Sequence, residues 1–225
     1  MHASQSSAWW QSASGASSRR SELIGASPEQ REIEPIVVPA GGERGVADAI
    51  ARGFMDNEIW VWLVPSDRAR ARVLRRHYRM VLRRMFMPRG TAWTTPGLDG
   101  GALWFGPERP YARRDEITES PSMLPHLGSL RRGRTLERAL SPRRPVEPHW
   151  HLSGLSVDSR RQGIGIGSAL IRPGLRRCDE RRTAAYVESN REANIEFFGR
   201  FGFELTKRIV IPGGPPMWLM RREPA

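Results

Sequence analysis

The stretch "HWHLSGLSVDSRRQGIGIGSALIRPGLRRC", residues 149–178, constrains the fold more than any other part of the chain. Its first nine residues, 149–157, read as a strand, and the apolar periodicity of 168–181 reads as a helix. Glycines stand between them at 163, 165 and 167. Glycine accepts positive φ and lets other atoms approach the backbone, so this connection can aim several amides at one point. The partial positive charge of a helix N-terminus adds to them, and the result is an anion site suited to phosphate. An ordinary tight connection is the simpler alternative, and G-x-G-x-G alone does not separate the two. The segment lacks the Lys-Ser/Thr of a P-loop and the spacing of a dinucleotide fingerprint. Pro173 falls inside the helix and is expected to kink or loosen its first turns.

Around this unit the chain alternates. Residues 32–38 read as a strand, and 43–55 as a helix with Val46, Ile50 and Phe54 on one side. Asp67 is a suitable N-cap for a helix over 68–84. Residues 90–107 read as two strands around a Pro/Gly/Asp turn, and 122–139 as a helical stretch in a proline-punctuated region. A strand at 183–189, a helix at 192–201 and closing strands at 203–211 and 216–222 complete the series. This succession is an α/β or α+β sheet with flanking helices. Residues 1–31, rich in Ser and Ala, read as a flexible extension, and 32–223 as the folded domain.

Several function classes are excluded at this level. No run approaches the roughly 18 uninterrupted apolar residues of a membrane span, and the N-terminus has no h-region, so neither membrane nor secretion is expected. Cys178 is the only cysteine, which rules out an intrachain disulfide and fits a cytoplasmic location. The five histidines and one cysteine show no ligand spacing, so no metal is expected. The net charge of +12 invites a nucleic-acid partner, but Lys207 is the only lysine among 36 basic residues. So complete a use of arginine is a compositional bias. In the densest run, 68–84, Val73, Leu74, His77, Tyr78, Val81, Leu82 and Met85 recur at helical spacing, which leaves the arginines to a solvated face. No nucleic-acid partner is expected.

Two motifs carry a family resemblance. Gln162-x-x-Gly165-x-Gly167, with Val157 before it and Leu170 after it, resembles the acetyl-CoA pyrophosphate loop of the GNAT N-acetyltransferase superfamily. "ANIEFFGRFGFEL" resembles that superfamily's Asn-x-x-x-Tyr-x-x-x-Gly-Phe segment through Asn194, Phe198, Gly202 and Phe203. From 147 to about 222, and more loosely from 90 to 107, the chain is similar to the puromycin N-acetyltransferase group. The resemblance implies a GNAT fold: a twisted, mostly antiparallel sheet splayed between its fourth and fifth strands, 149–157 and 183–189, and flanked by helices. It also implies acetyl-CoA as cosubstrate. The pantetheine would run along Leu155, Ser156 and Val157, and the pyrophosphate would rest on the backbone of Gln162, Gly163, Ile164, Gly165, Ile166, Gly167 and Ser168. Asn194 and Phe198 would complete that site. Arg160 and Arg161 either meet the nucleotide phosphates or are solvated.

The implied reaction is direct acetyl transfer to a primary amine of a small molecule, possible acceptors being an aminonucleoside or other antibiotic, with resistance as the role. Something must take the proton of the amine. Glu188, at the C-terminal end of the fifth strand, is the candidate; a structural carboxylate capping the next helix or pairing with Arg191 is the alternative. His149 and His151 share a face of the fourth strand and offer a relay. The family's proton-donating tyrosine is Phe198 here, so water, Ser189 or Asn190 would have to protonate the leaving thiolate. Otherwise the protein is a catalytically weak CoA-binding sensor or interaction module. For the acceptor amine, Asp56 and Glu58 could hold a cation and Trp60 or Trp62 could stack on a ring, with 211–218 as a further wall. Helix-end polar groups and core tryptophans are the other reading of the same residues. A monomer and a homodimer both remain open.

Overall fold

Leu103 and Phe105 point to one face of a strand while Ala102 and Trp104 point to the other, and all four are buried. A strand covered on both sides must lie between two layers of helix, and this period of two sets the plan of the molecule. In the computed structural model the described residues are 33–108 and 127–225, which fall in the unit Ile33–Ala225. The expected extension 1–31 lies outside the described residues, as do positions 122–126 of the expected helix.

The strands are β1 (Ile36–Val37), β2 (Ala92–Thr94), β3 (Gly100–Phe105), β4 (Trp150–Val157), β5 (Ala185–Ser189), β6 (Glu204–Val210) and β7 (Pro216–Arg222). The helices are α1 (Glu43–Gly53), α2 (Glu58–Leu63), α3 (Asp67–Val81), α4 (Leu127–Leu140), α5 (Ile166–Glu180) and α6 (Ala193–Gly199). The strand order is β1-β2-β3-β4-β5-β7-β6, and every pairing is antiparallel except β4 with β5. That parallel pairing is short: Trp150, His151 and Leu152 lie opposite Ala185, Tyr186 and Val187. Beyond it β4 stays with β3 to Val157 and β5 stays with β7 to Ser189, so the sheet splays open. On β4 the register shifts, with Leu103 opposite Gly154 but Trp104 opposite Leu152, which leaves Ser153 as a bulge residue.

Helices α1, α2 and α3 cover one face through Val46, Ile50, Trp60, Leu74 and Tyr78. Helix α5 covers the other through Ile166, Leu170, Ile171 and Leu175, packed on Trp93, Trp104 and Trp150. Four features differ from the sequence expectations. Only two residues of 32–38 pair as a strand. Helix α2 is not anticipated at all, because six residues are too few to display a helical period. The N-cap of α3 is Ser66, whose Oγ accepts from the Ala69 amide at 3.4 Å, while Asp67 sits inside the first turn and pairs with Arg70. Finally, α5 runs unbroken through Pro173, which lies mid-helix and buried.

The arginines of 68–84 face solvent as expected, with one exception. Arg70 is buried and donates to the carbonyls of Met55, Val64 and Pro65 at 2.8, 2.9 and 3.1 Å, lacing the loop after α2 to α3. The bonds come from two separate nitrogens of one planar group, a geometry that a lysine's single ammonium lacks.

Where α5 crosses the sheet, Gly174 lets the helix touch Trp104: a Cβ there would lie 2.3 Å from the indole Cε2. Gly174→Ala is therefore expected to cost about 1–3 kcal/mol by overpacking. Thermal unfolding followed by circular dichroism should show a lowered Tm, by about 2–4 °C for each kcal/mol. An unchanged Tm would mean that α5 sits farther from Trp104.

Candidate functional site

The site is built outward from the end of β4. Asp158 closes that strand, its amide donating to the Asp99 carbonyl at 2.8 Å. Its carboxylate accepts from the Arg160 amide at 3.1 Å, the Arg160 guanidinium at 2.8 Å and Arg52 Nε at 2.7 Å. The hydrogen bonds from Arg160, outweighing the cost of burial, and then those from Arg52 hold this carboxyl well below the usual carboxylate range. Gln162 folds back, Nε2 donating to the Val157 carbonyl at 3.1 Å. Gly163 and Gly165 then take φ of +83° and +86°, which side chains rarely adopt. A Cβ at either would meet no protein atom within 4 Å, so the backbone angle, not crowding, requires glycine there. Gly165 opens α5, its carbonyl accepting from Ala169 at 3.0 Å. The amides of Ile166, Gly167 and Ser168 belong to the first turn, which has no carbonyl one turn back to receive them.

These groups line a cavity of about 480 Å³. Of the expected cofactor residues, Leu155, Ser156, Val157, Gln162, Gly163, Gly165, Ile166, Gly167, Ser168, Asn194 and Phe198 all line it. Ile164 does not: it is 56% exposed, turned outward between the two positive-φ glycines. Arg161 lines the cavity, whereas Arg160 is held by Asp158. Phe54, Asn57, Arg191, Phe197 and Arg200, which no motif singled out, complete the wall. Phe198 is buried, edge-on to Phe197 at 5.2 Å and to Phe203 at 5.6 Å. Ser189 is buried and lines neither this cavity nor the next. Its hydroxyl receives Asn194 Nδ2 at 2.9 Å and the Arg191 amide at 3.3 Å.

A second cavity, about 330 Å³, lies farther back along β4, between α2, α3, α4 and the splayed strands. His151, Leu152 and Ser153 line it, whereas Leu155, Ser156 and Val157 line the first, so β4 runs past both. Glu188 points into it. The Arg144 guanidinium grips this carboxylate at 2.8 Å (Nε to Oε1) and 3.4 Å, and grips Glu137 at 2.6 and 3.0 Å. Glu188 therefore neither caps the next helix nor pairs with Arg191, which donates instead to the Asp56 carbonyl at 2.9 Å. Tyr186 donates its hydroxyl to Glu188 Oε1 at 3.3 Å. Burial and then the Glu188 charge raise this phenol well above its ordinary range, so it keeps its proton. Burial opposes the charge of Arg144, but Glu188 and Glu137 outweigh it and raise the guanidinium further. Burial brings His77 down to about 4. Burial, then Arg144 and His149, takes His151 well below the usual imidazole value, so both rings are neutral near pH 7.

Trp60 lines this cavity, edge-on to His77 and Tyr78 at 5.2 and 5.9 Å. Asp56 and Glu58 do not. Asn57 between them caps α2, accepting from the Ile59 and Trp60 amides, and both carboxylates are left exposed outside the cavities. Trp62 packs near Gly214, in a cluster with Ile211 and Met217, so the 211–218 segment lies behind the cavity rather than walling it. Asn57 Nδ2 also donates to Asn190 Oδ1 at 2.8 Å, linking α2 to the end of β5. On the outer face of α3, Arg72, Arg75, Arg76 and Arg79, with Arg83 just beyond the helix and Arg44 of α1, border an open groove away from both cavities. Among the described residues, no three His, Cys, Asp or Glu side chains converge as a metal site, and no helix is long and apolar enough to cross a membrane.

Residues 128–203 match the model of the Acetyltransferase (GNAT) family. The fold superposes on the Corynebacterium glutamicum protein described as histone acetyltransferase HPA2 and related acetyltransferase, at 21% identity over 86% of this chain and 97% of that one, with a TM-score of 0.63. It also superposes on arylalkylamine N-acetyltransferase 2 from Aedes aegypti, at 14% identity over 85% and 98% of the two chains, with a TM-score of 0.59. An agmatine N-acetyltransferase aligns at 13% identity over 85% and 99%, with a TM-score of 0.50. At these identities the likeness is one of fold.

Asp158 gives the loop a pH signature. An Asp in an unfolded chain titrates near 3.9, and in the folded chain Asp158 titrates lower. Its contribution to stability is therefore complete above about pH 4 and is lost as the pH falls through the lower folded value. Asp158→Asn should lower the urea midpoint at pH 7, and the gap to wild type should shrink below about pH 4. A gap independent of pH would remove Asp158 from this role.

Proposed function

We infer that this chain, a GNAT-type fold with its GNAT-family segment at 128–203, transfers the acetyl group of acetyl-CoA to the primary amine of a small molecule. One observation carries the reading. Two cavities of different chemistry lie along β4 where it parts from β5, one walled by the glycine loop and the other holding Glu188.

The first cavity fits acetyl-CoA. The amides of Ile166, Gly167 and Ser168, the backbone of Gly163 and Gly165, and the cations Arg161, Arg191 and Arg200 on its wall suit an anionic pyrophosphate. When bound, acetyl-CoA supplies an activated thioester. The edge of β4 that faces the gap, over 153–157, has no strand partner among the described residues and can hold an extended pantetheine and donate to an oxyanion. Glu188 takes the amine proton, directly or through water. Ser189 and Asn194 order the turn between β5 and α6. Phe198 keeps the ring against the cofactor but has no proton to give. A thiol of pKa about 8.5 leaves as thiolate without one, or takes one from water.

The similarity of 147–222 to the puromycin N-acetyltransferase group supports an aminonucleoside or another antibiotic amine as acceptor, with resistance as the role and the cytoplasm as the location. In this reading 32–223 is the catalytic domain and 1–31 a flexible extension. Phe198 favours a second reading, a CoA-binding sensor with little turnover.

The test is release of free CoA thiol from acetyl-CoA with a panel of primary amines. At least one amine should drive release. Binding of acetyl-CoA without release by any amine would favour the sensor. Gly165→Val forces a β-branched residue to φ of +86° in the loop and should abolish acetyl-CoA binding in calorimetry while the protein stays folded. Wild-type affinity in that variant would show the loop to be the wrong site. Phe198→Tyr should raise kcat modestly, most at high pH, where a phenol of pKa about 10 still carries its proton. A fall in kcat with a lowered Tm would mean that the ring has no room for a hydroxyl facing the cofactor.

A further inference from the structure

We propose that Arg144 is a built-in counter-cation that sets the specificity of the second cavity, so that it accepts a monoamine on a flat apolar body and turns away diamines and guanidino-amines. This deepens the acetyltransferase reading and rests on it. Glu137 and Glu188 come from α4 and β5, and a single guanidinium contacts both, so a single cation spans the two carboxylates. Alone, such a pair would be a strong site for an ammonium or guanidinium brought by a ligand. Here the position is already filled. The Arg144 side chain is only 13% exposed, and its Nε, Nη1 and Nη2 make four contacts to the four carboxylate oxygens, a fit that few ligands could displace.

The charge balance points the same way. Among the described residues, the titratable groups on this wall are Glu137, Glu188, Arg134, Arg144, Tyr78, His77 and His151. The histidines are neutral, and Arg134 is exposed and screened by solvent. Two carboxylates against one buried cation leave about one negative charge beside Glu188, enough for one ammonium. Among the described residues, no other carboxylate on the wall could receive a second cation. The rest is Trp60, Tyr78, Phe86, Leu103, Leu136 and Leu140, a surface suited to a ring or chain. The far ammonium of a diamine would be stripped of water against these side chains without a partner. A volume of about 330 Å³ admits an arylalkylamine-sized molecule.

The experiment measures binding and turnover of 2-phenylethylamine and putrescine by wild type, Arg144→Met, Arg144→Lys and the double variant Arg144→Met with Glu137→Gln. Wild type should bind phenylethylamine and discriminate against putrescine. Arg144→Met opens the dicarboxylate position and should shift the ratio of affinities at least tenfold toward putrescine, with kcat/KM following. Arg144→Lys keeps a resident cation and should keep the wild-type preference. Adding Glu137→Gln to Arg144→Met should cancel the gain, which places the second ammonium at Glu137. The proposal is overturned if wild type binds putrescine as well as phenylethylamine, if it binds neither, or if Arg144→Met leaves the ratio unchanged while still binding acetyl-CoA. Should Arg144→Met not fold, loss of the preference in Arg144→Lys would overturn it and retention would support it. Failure of the acetyltransferase reading looks different: amines bind with the expected preference and no CoA is released.

Discussion

The proposed site depends wholly on the parting of β4 from β5 after three paired residues. A parallel pair holds Trp150–Leu152 against Ala185–Val187, and then each strand keeps only its outer neighbour. Because β3 still pairs β4 to Val157 and β7 still pairs β5 to Ser189, neither strand loses its place as the gap opens. The cost is a row of main-chain groups without a strand partner, which in an interior would be destabilising. Here that row faces two cavities instead of a packed core. The sheet thus exchanges part of its own hydrogen bonding for a place where an extended ligand can add itself as a strand.

The arginine-rich composition acquires structural meaning at several positions, Arg222 among them, and two of these bear on the second cavity. Most arginines do what a solvated face requires and no more. Arg70 and Arg144 are different, because each reaches several acceptors at once from a nearly buried stem. One holds the backbone on either side of α2, which lines the second cavity, and the other holds the Glu188 carboxylate in it. The planar fork of five donors on three nitrogens allows this, whereas a lysine would bring the same charge on one nitrogen without the paired contacts.

How much of this could be read from the residues depended on how local each signal was. The strand–loop–helix unit was legible because strand alternation, the loop glycines and the helical period all lie within some thirty residues. Nine of its ten expected cofactor residues line one cavity, and Asn194 and Phe198 of the second motif line the same one. The Ile164 side chain turns outward between two positive-φ glycines, and the expectation at that position concerned its backbone alone. Ser66 and Asp67 are both good caps, and only geometry chooses between adjacent ones. Asp56 and Glu58 looked like a cation site because Asn57, the residue that turns them outward, carries no charge to attract notice. Arg144 was out of reach: its partners lie 7 and 44 positions away, and one arginine among so many has no local mark.

The bulge at Ser153 has a consequence for how β4 is written. Before it, Trp150 and Leu152, two even-numbered residues, pack toward α5. After it, the odd-numbered Leu155 and Val157 do, and Ser156 turns to α1, its hydroxyl donating to the Ile50 carbonyl at 3.2 Å. One extra residue thus inverts the phase of the strand midway, so that its two halves can serve two neighbouring chambers from a single run of backbone. What matters at position 153 is therefore arithmetic more than chemistry. Many side chains could stand there, since it is exposed, but a strand one residue shorter would turn Leu155 and Val157 out of the core and present Ser156 to the tryptophans.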